Sequence, residues 1–223
     1  RALKATDVEK IYEAVFDGAL SSLDVFSRYS GAEEAKRNRA RRDGFGGIGI
    51  RFRAKDGTVR VTKVMKDTPA ERIGLKADDR ITHIDGFPAE AMSKDEIVKK
   101  LRGPVKSRVV LTIRRDGAAL PLRFGVVRAH IVPDTVVARH AEGVLHLRIA
   151  SFNQNTARSA ADALRTARQR RSDPLRGIVL DLRGNPGGLL KQAVRLVDLF
   201  LSEGMISSTR GRHPDSIHRY EAG

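Results

Sequence analysis

The sequence predicts a multidomain chain of the α+β / α/β class, and three observations carry that prediction. The stretch Asp43-Gly44-Phe45-Gly46-Gly47 breaks the chain between a helical N-terminal pattern and a series of short alternating strands. Farther along, strand, alanine-rich helix and strand patterns follow one another near residues 144–149, 156–171 and 178–180, the order of a βαβ unit with parallel strands. That unit runs into Arg183-Gly184-Asn185-Pro186-Gly187-Gly188, where the strand pattern stops and helical spacing begins.

Composition narrows the classes. With 223 residues and a hydrophobic fraction of 40%, the chain can build one large domain or two small ones around packed cores. No apolar run approaches the ~20 residues of a membrane span. Cysteine is absent, which excludes disulfide and thiolate chemistry and suits either redox compartment. The net charge of +15 raises the question of nucleic acid, and its densest run is Lys36, Arg37, Arg39, Arg41 and Arg42. An aromatic content of 5%, with no helix-turn-helix, zinc or RNP pattern, favours a solvated basic face and speaks against a nucleic-acid partner. The same charge admits association with anionic membrane surfaces or acidic substrates. The histidines show no His-Glu-x-x-His or other ligand spacing, so neither metal nor cofactor is expected.

Residues 3 to 23 read as an amphipathic helix, because Val8, Ile11, Tyr12, Val15, Phe16, Ala19, Leu20 and Leu23 recur at helical spacing, and Thr6 with Glu9 supplies a capping box. After the glycine break, Gly47-Ile48-Gly49-Ile50 followed by Arg51-Phe52 resembles the carboxylate-binding loop of PDZ domains, whose glycines let backbone N–H groups turn toward a peptide's C-terminal carboxylate. Residues 59–64 alternate as a half-buried strand, and Thr68-Pro69-Ala70-Glu71-Arg72-Ile73-Gly74-Leu75 resembles the proline-started short helix of the same domains. Residues 79–86 read as a strand entering a turn. Ser93 and Glu96 form a capping box that opens a helix with Ile97, Val98 and Leu101 inward. Strands near 109–114 and 120–126, joined through Asp116-Gly117, complete the domain. In a PDZ domain a peptide adds as a strand beside residues 48–52, against the helix wall. The expected peptide contacts are therefore Gly47, Ile48, Gly49, Ile50, Ile97 and Leu101. The plain alternative makes the apolar members of that set ordinary core. Arg102, at the end of the groove helix, is a candidate for relaying occupancy to the rest of the chain.

After Val127 a linker containing Pro133 leads to a strand that carries Leu145, Leu147 and Ile149 on one face and His146 on the other. The helix over 156–171 turns Ala160, Ala163, Leu164 and Ala167 inward. Ile178, Val179 and Leu180 form a β-branched-rich run suited to a strand buried on both faces. From Gly188 a helix follows with Leu190, Ala193, Val194, Val197, Phe200 and Leu201 on one face, closing near Gly204, and residues 205–209 suit one more strand. A glycine turn feeding a helix N-terminus aims unpaired N–H groups outward beside the positive end of the helix dipole, so it can hold a developing negative charge. The spacing of Gly184, Gly187 and Gly188 is not Gly-x-Gly-x-x-Gly, and no Gly-Lys-Ser/Thr follows. Dinucleotide and P-loop readings fall; an oxyanion site stands beside the plain alternative of a tight strand-to-helix connection.

The run Leu182-Arg183-Gly184-Asn185-Pro186-Gly187-Gly188-Leu189-Leu190, with Arg148-Ile149-Ala150-Ser151-Phe152-Asn153 upstream and Thr209-Arg210-Gly211-Arg212 downstream, resembles the carboxyl-terminal processing peptidases, S41-type serine peptidases that carry a PDZ domain and work with a Ser-Lys pair. Leu23-Asp24-Val25-Phe26-Ser27-Arg28-Tyr29 resembles the element that precedes their PDZ domain, with Val25 in place of the usual proline. The resemblance implies N-terminal helices over residues 1–43, a PDZ-like β-barrel-type domain over 44–128, and a partial ClpP/crotonase-like α/β peptidase core over 129–223. It implies that a backbone N–H of the Gly187-Gly188 turn forms half of an oxyanion hole. It also implies that the family's serine and lysine lie beyond Gly223, which makes the chain alone an inactive fragment. No Gly-x-Ser-x-Gly elbow occurs, and Ser207 and Ser208 lie in a strand pattern with no activating group implied. The expected function is part of an endopeptidase acting on protein or peptide substrates with exposed apolar C-termini. By resemblance its place is the bacterial cell envelope or periplasm, and a homo-oligomer stays open. The rivals are a non-catalytic PDZ peptide-binding module and a crotonase-like acyl-transforming enzyme, against which the PDZ element speaks.

Overall fold

The computed structural model describes residues 8–24 and 27–223, so Thr6 of the expected capping box and Val25 and Phe26 of the pre-PDZ element lie outside the described residues. The chain divides into two compact units, one formed by Gly44–Pro133 and the other by Arg1–Asp43 together with Asp134–Gly223.

At the N-terminus, α1 (Val8–Leu20) has the expected amphipathic pattern but buries no residue. Its Phe16 ring stacks on Tyr29 with centroids 4.8 Å apart. A second helix, α2 (Ala32–Asp43), carries the basic run as a wholly unburied element. Apolar periodicity does not announce this helix. Its acidic first turn and basic last turn oppose the helix dipole favourably, and Glu9 Oε1 accepts the Ala32 N–H at 2.8 Å across from α1.

The unit Gly44–Pro133 contains β1 (Phe45–Gly47), β2 (Ile50–Lys55), β3 (Thr58–Val64), α3 (Pro69–Arg72), β4 (Arg80–Ile84), β5 (Phe87–Pro88), α4 (Lys94–Leu101), β6 (Arg108–Arg114), β7 (Leu122–Val127) and β8 (Ala129–Ile131). Its antiparallel sheet runs in the order β2-β3-β4-β6-β7, with β5 on β4, while β1 pairs separately with β8. Because β2 and β7 do not pair, the sheet is open and no barrel closes. Alternation buries Val59 and Val61 on β3 and Val109, Leu111 and Ile113 on β6, and these meet Ile97 and Leu101 of α4 in one core. The predicted capping box at α4 is present: Ser93 Oγ accepts from the Glu96 N–H at 3.3 Å and Glu96 Oε2 accepts from the Ser93 N–H at 2.8 Å. Buried Asp79 is held by a bidentate Arg115 at 2.7 and 2.8 Å and accepts the Lys76 N–H at 2.7 Å, which fixes the exit from α3.

The other unit holds β9 (Val136–Ala141), β10 (Val144–Ile149), α5 (Thr156–Arg168), β11 (Gly177–Asp181), α6 (Leu190–Asp198), β12 (Gly204–Thr209) and β13 (His218–Ala222). β10, α5 and β11 form the predicted parallel βαβ unit, and β9 joins β10 antiparallel to give the order β11-β10-β9. Leu145 and Leu147 pack with Leu164 and Ala167, and Ile149 packs with Ala160 and Leu196. What reads in sequence as a linker after Val127 is largely paired, as β8 and β9, and β12 has an unforeseen partner in β13.

Two burial expectations are corrected here. Ile178, Val179 and Leu180 are not buried on both faces but 36%, 45% and 39% exposed, because β11 is the edge of a three-stranded sheet. α6 ends at Asp198 rather than near Gly204, and Leu190, Val197, Phe200 and Leu201 are exposed; the side chains it buries are Gln192 and Leu196.

Candidate active-site turn and peptide groove

Parallel pairing in the order Arg148↔Asp181 sets the C-terminal ends of β10 and β11 side by side, so the loops that follow them meet. Asn185 ties the two loops together: its Nδ2–H donates to the Ile149 carbonyl at 2.9 Å, and its Oδ1 accepts the Gly187 N–H at 2.7 Å. Phe152 then grips the glycines from the other side. Its N–H donates to the Gly187 carbonyl at 2.9 Å and its carbonyl accepts the Leu189 N–H at 2.8 Å, so Gly188 is clamped between them. A β-carbon on Gly188 would overlap the Phe152 carbonyl oxygen, and φ of 141° is glycine territory as well. At Gly187, φ is 95° but a β-carbon would meet open space.

The two glycines therefore differ in what they can offer. The Gly187 N–H is satisfied by Asn185, whereas Gly188 is an exposed residue whose N–H has no acceptor among the described residues. An amide of this kind, one residue before the helix cap Leu189, is available to an incoming oxygen.

Beneath the clamp lies a buried polar network. The Asn153 N–H donates to Thr156 Oγ1 at 2.8 Å, Thr156 Oγ1 lies 2.7 Å from Thr135 Oγ1, and the Asn155 N–H donates to Asn153 Oδ1 at 3.1 Å. Gln192 of α6 accepts the Ala157 N–H at 3.1 Å, capping the first turn of α5. The Gln154 N–H donates to the Arg42 carbonyl at 3.1 Å, so the end of α2 braces the same loop. At the foot of the turn, Arg183 clasps Asp181 through Nε and Nη2 at 2.9 and 3.0 Å and through its own N–H at 3.0 Å. The guanidinium, and then the backbone N–H, hold the Asp181 carboxyl well below the usual carboxylate range.

In sequence, the glycines were legible and their supports were not. Asn185, two residues before Gly187, has the spacing at which an Asn side chain accepts a backbone N–H, and that was the one available signal. Phe152 acts through backbone atoms that any residue possesses, so its role leaves no trace in residue type. Ser207 and Ser208 lie on β12 opposite Tyr220 and Arg219, and neither hydroxyl bonds to a lysine or histidine among the described residues. Also among the described residues, no cluster of His, Asp and Glu could hold a metal ion, and no helix is long and apolar enough to cross a membrane.

In the unit Gly44–Pro133, β2 is an edge strand paired only with β3, which leaves its outer edge open to an added strand. The loop before it is fixed by its carbonyls: Ile48 C=O accepts from the Ala70 N–H and Gly49 C=O from the Met65 N–H, both at 2.9 Å. Gly49 has φ of 87°, and a β-carbon there would overlap Thr68. The N–H groups of Ile48 and Gly49 have no acceptor among the described residues. Of the residues expected to contact a peptide, Ile48, Ile97 and Leu101 are 2%, 0% and 5% exposed and pack in the core of this unit. Ile50 and Phe52 on β2 and Val98 on α4 are half-buried. Arg102 follows α4 with its guanidinium 3.8 Å above the Phe45 ring of β1.

One unit thus carries an open edge strand preceded by loop amides without acceptors, and the other a βαβ unit ending in a clamped glycine turn. Residues 143–223 match the model of peptidase family S41 and residues 60–115 match that of the PDZ domain. It is 38% identical over 218 residues to a carboxy-terminal-processing protease of Bartonella bacilliformis, covering 97% of this chain and 50% of that protein. It is 32% identical to a probable CtpA-like serine protease of Staphylococcus aureus, covering 96% of this chain and 43% of that protein. Among solved structures it is similar to a photosystem II D1 C-terminal processing protease, with a TM-score of 0.45 and 21% identity over 99% of this chain and 62% of that one. It is also similar to the PDZ domain of a Vibrio cholerae carboxy-terminal protease in complex with peptide, with a TM-score of 0.36 and 23% identity over 39% of this chain and 96% of that one. The chain thus spans about half the length of the curated relatives it matches.

Proposed function

We propose that this chain supplies the tail-recognition and oxyanion-binding parts of a carboxy-terminal-processing serine endopeptidase. The observation that carries the reading is the unpaired amide of exposed Gly188, held rigid by Phe152 and Asn185 within the S41 segment. A donor fixed before substrate arrives stabilises the oxyanion of a tetrahedral intermediate without reorganising, the usual source of the largest electrostatic contribution in acyl transfer. In this reading Gly188, rather than Gly187, is the donor. A substrate's C-terminal carboxylate would bind the Ile48 and Gly49 amides, its last residues would extend along β2, and its apolar side chains would meet Ile50, Phe52 and Val98.

The nucleophile and base, in this proposal a serine and a lysine, come from polypeptide that packs on the exposed apolar side chains of β11 and α6. Ile178, Val179, Leu180, Leu190 and Val197 are exposed apolar side chains of the kind that further polypeptide covers. Residues 1–223 alone are then a recognition and positioning part without hydrolytic activity. The proposed working location is the bacterial cell envelope.

Unfolded casein-like substrates with a free apolar C-terminus should be cleaved by the complete protein in a serine-reagent-sensitive manner and left intact by residues 1–223. Cleavage by residues 1–223, or failure of the complete protein to cleave, would overturn the reading. Binding of the same tails without cleavage by the complete protein would establish the alternative, a non-catalytic PDZ module.

A further inference from the structure

We infer that Arg128 is a positioning residue of the peptide groove, setting the distance between the groove helix and the carboxylate loop through a buried guanidinium. The inference rests on the reading of this unit as a C-terminal-tail binder. Arg128 is 8% exposed, and no carboxylate pairs with it among the described residues. Its charge is held instead by oxygens at the end of α4 and the start of β6. Nε–H donates to the Leu101 carbonyl at 3.2 Å and Nη2–H to the Lys100 carbonyl at 2.5 Å; Nη1–H donates to Ser107 Oγ and to the Arg108 carbonyl, both at 2.9 Å. The last carbonyls of a helix have no intrahelical partner and carry the negative end of its dipole, so a buried guanidinium there is both a cap and a counter-charge.

Its backbone is held as firmly. The Arg128 N–H donates to the Ser107 carbonyl and the Arg128 carbonyl accepts the Lys106 N–H, both at 2.8 Å. The next residue, Ala129, opens β8 and pairs with Gly47, the residue immediately before the loop amides of Ile48 and Gly49. One side chain therefore connects the C-terminal turn of α4 to the strand that backs the carboxylate loop. Gly103 makes room for it: a β-carbon there would lie 3.0 Å from Arg128 Nε and 3.2 Å from Cζ, so the guanidinium and Gly103 fit as a pair. A peptide that wedges between β2 and α4 pushes on the helix end that Arg128 grips.

The 15N-labelled 223-residue chain is titrated with a fluorescent decapeptide ending in Val-Val, with the terminus free or amidated, while the Arg128 Nε–H resonance is followed. The free peptide should shift that resonance and slow its exchange; Arg128→Met should weaken binding on the order of tenfold or more, the factor that 1.4 kcal/mol makes. Arg128→Lys, which keeps the charge and can reach some of the carbonyls, should recover part of the affinity. Gly103→Ala, which crowds the guanidinium without removing it, should weaken binding as well. A folded Arg128→Met with unchanged affinity would overturn the inference. So would an Nε–H resonance unmoved at saturating peptide, a result that decides even where Arg128→Met does not fold. Wild-type chain that binds neither peptide, or both equally, defeats the underlying tail-binding reading instead.

Discussion

Asn185→Ala removes a side chain that ties the turn after β11 to the end of β10. It deletes the 2.9 Å bond from Nδ2–H to the Ile149 carbonyl and the 2.7 Å bond from the Gly187 N–H to Oδ1. Each such bond contributes a net ~1 kcal/mol, so the loss is about 2 kcal/mol, with a range of roughly 1–3. For a unit of this size that lowers the melting temperature by about 4–8 °C. Thermal melts of the 223-residue chain, followed by circular dichroism, read it directly. Asn185→Asp keeps an acceptor for Gly187 and loses the donor to Ile149, so about half of the loss should remain. An Asn185→Ala protein that melts within about 1 °C of wild type would show that the side chain does not brace the turn, and the assignment of a pre-set Gly188 amide would lose its mechanical basis.

Two further perturbations separate parts of the same turn. Gly187→Ala introduces only a strained positive φ into open space, a penalty of about 1–2 kcal/mol, whereas Gly188→Ala drives a methyl group into the Phe152 carbonyl. Gly188→Ala should therefore melt markedly lower than Gly187→Ala, and equal melts would contradict the clamp. For Asp181, the folded-state pKa is depressed by Arg183, so its stabilisation is complete above the unfolded carboxylate value of ~3.9 and is lost as pH falls toward the lower folded value. The stability advantage of wild type over Asp181→Asn should shrink as pH falls below about 4 in urea melts; an advantage unchanged between about pH 5 and pH 2 would contradict the pairing.

How much of this was legible in sequence varies with the kind of interaction. Period-two burial gave β3, β6 and β10, the Ser93 and Glu96 spacing gave the start of α4, and the order of patterns gave the βαβ unit, because each depends on local residue type. Apolar pattern did not give exposure. Ile178, Val179 and Leu180 have the composition of a buried strand but lie on an edge, since composition registers what a strand can pack against and not whether it is covered. Of the three apolar residues of α4, Ile97 and Leu101 lie in the core and Val98 is half-buried, a difference that apolar spacing alone does not register. α2 has no apolar signature, because its helicity rests on charge placement at its ends, and only the family resemblance implied a helix there. The interactions that hold the glycine turn and the adjoining start of α5, Phe152 backbone to Gly187 and Leu189 and Gln192 to Ala157, join positions far apart in the chain.

The most direct test of the central claim is a crystal structure of the complete protein inactivated by a peptidyl boronic acid with an apolar side chain next to boron. The account predicts a tetrahedral boronate with one oxygen about 2.7–3.1 Å from the Gly188 nitrogen, the Gly187 N–H still bonded to Asn185. A boronate oxygen bound elsewhere, with the Gly188 N–H pointing at solvent, would contradict it.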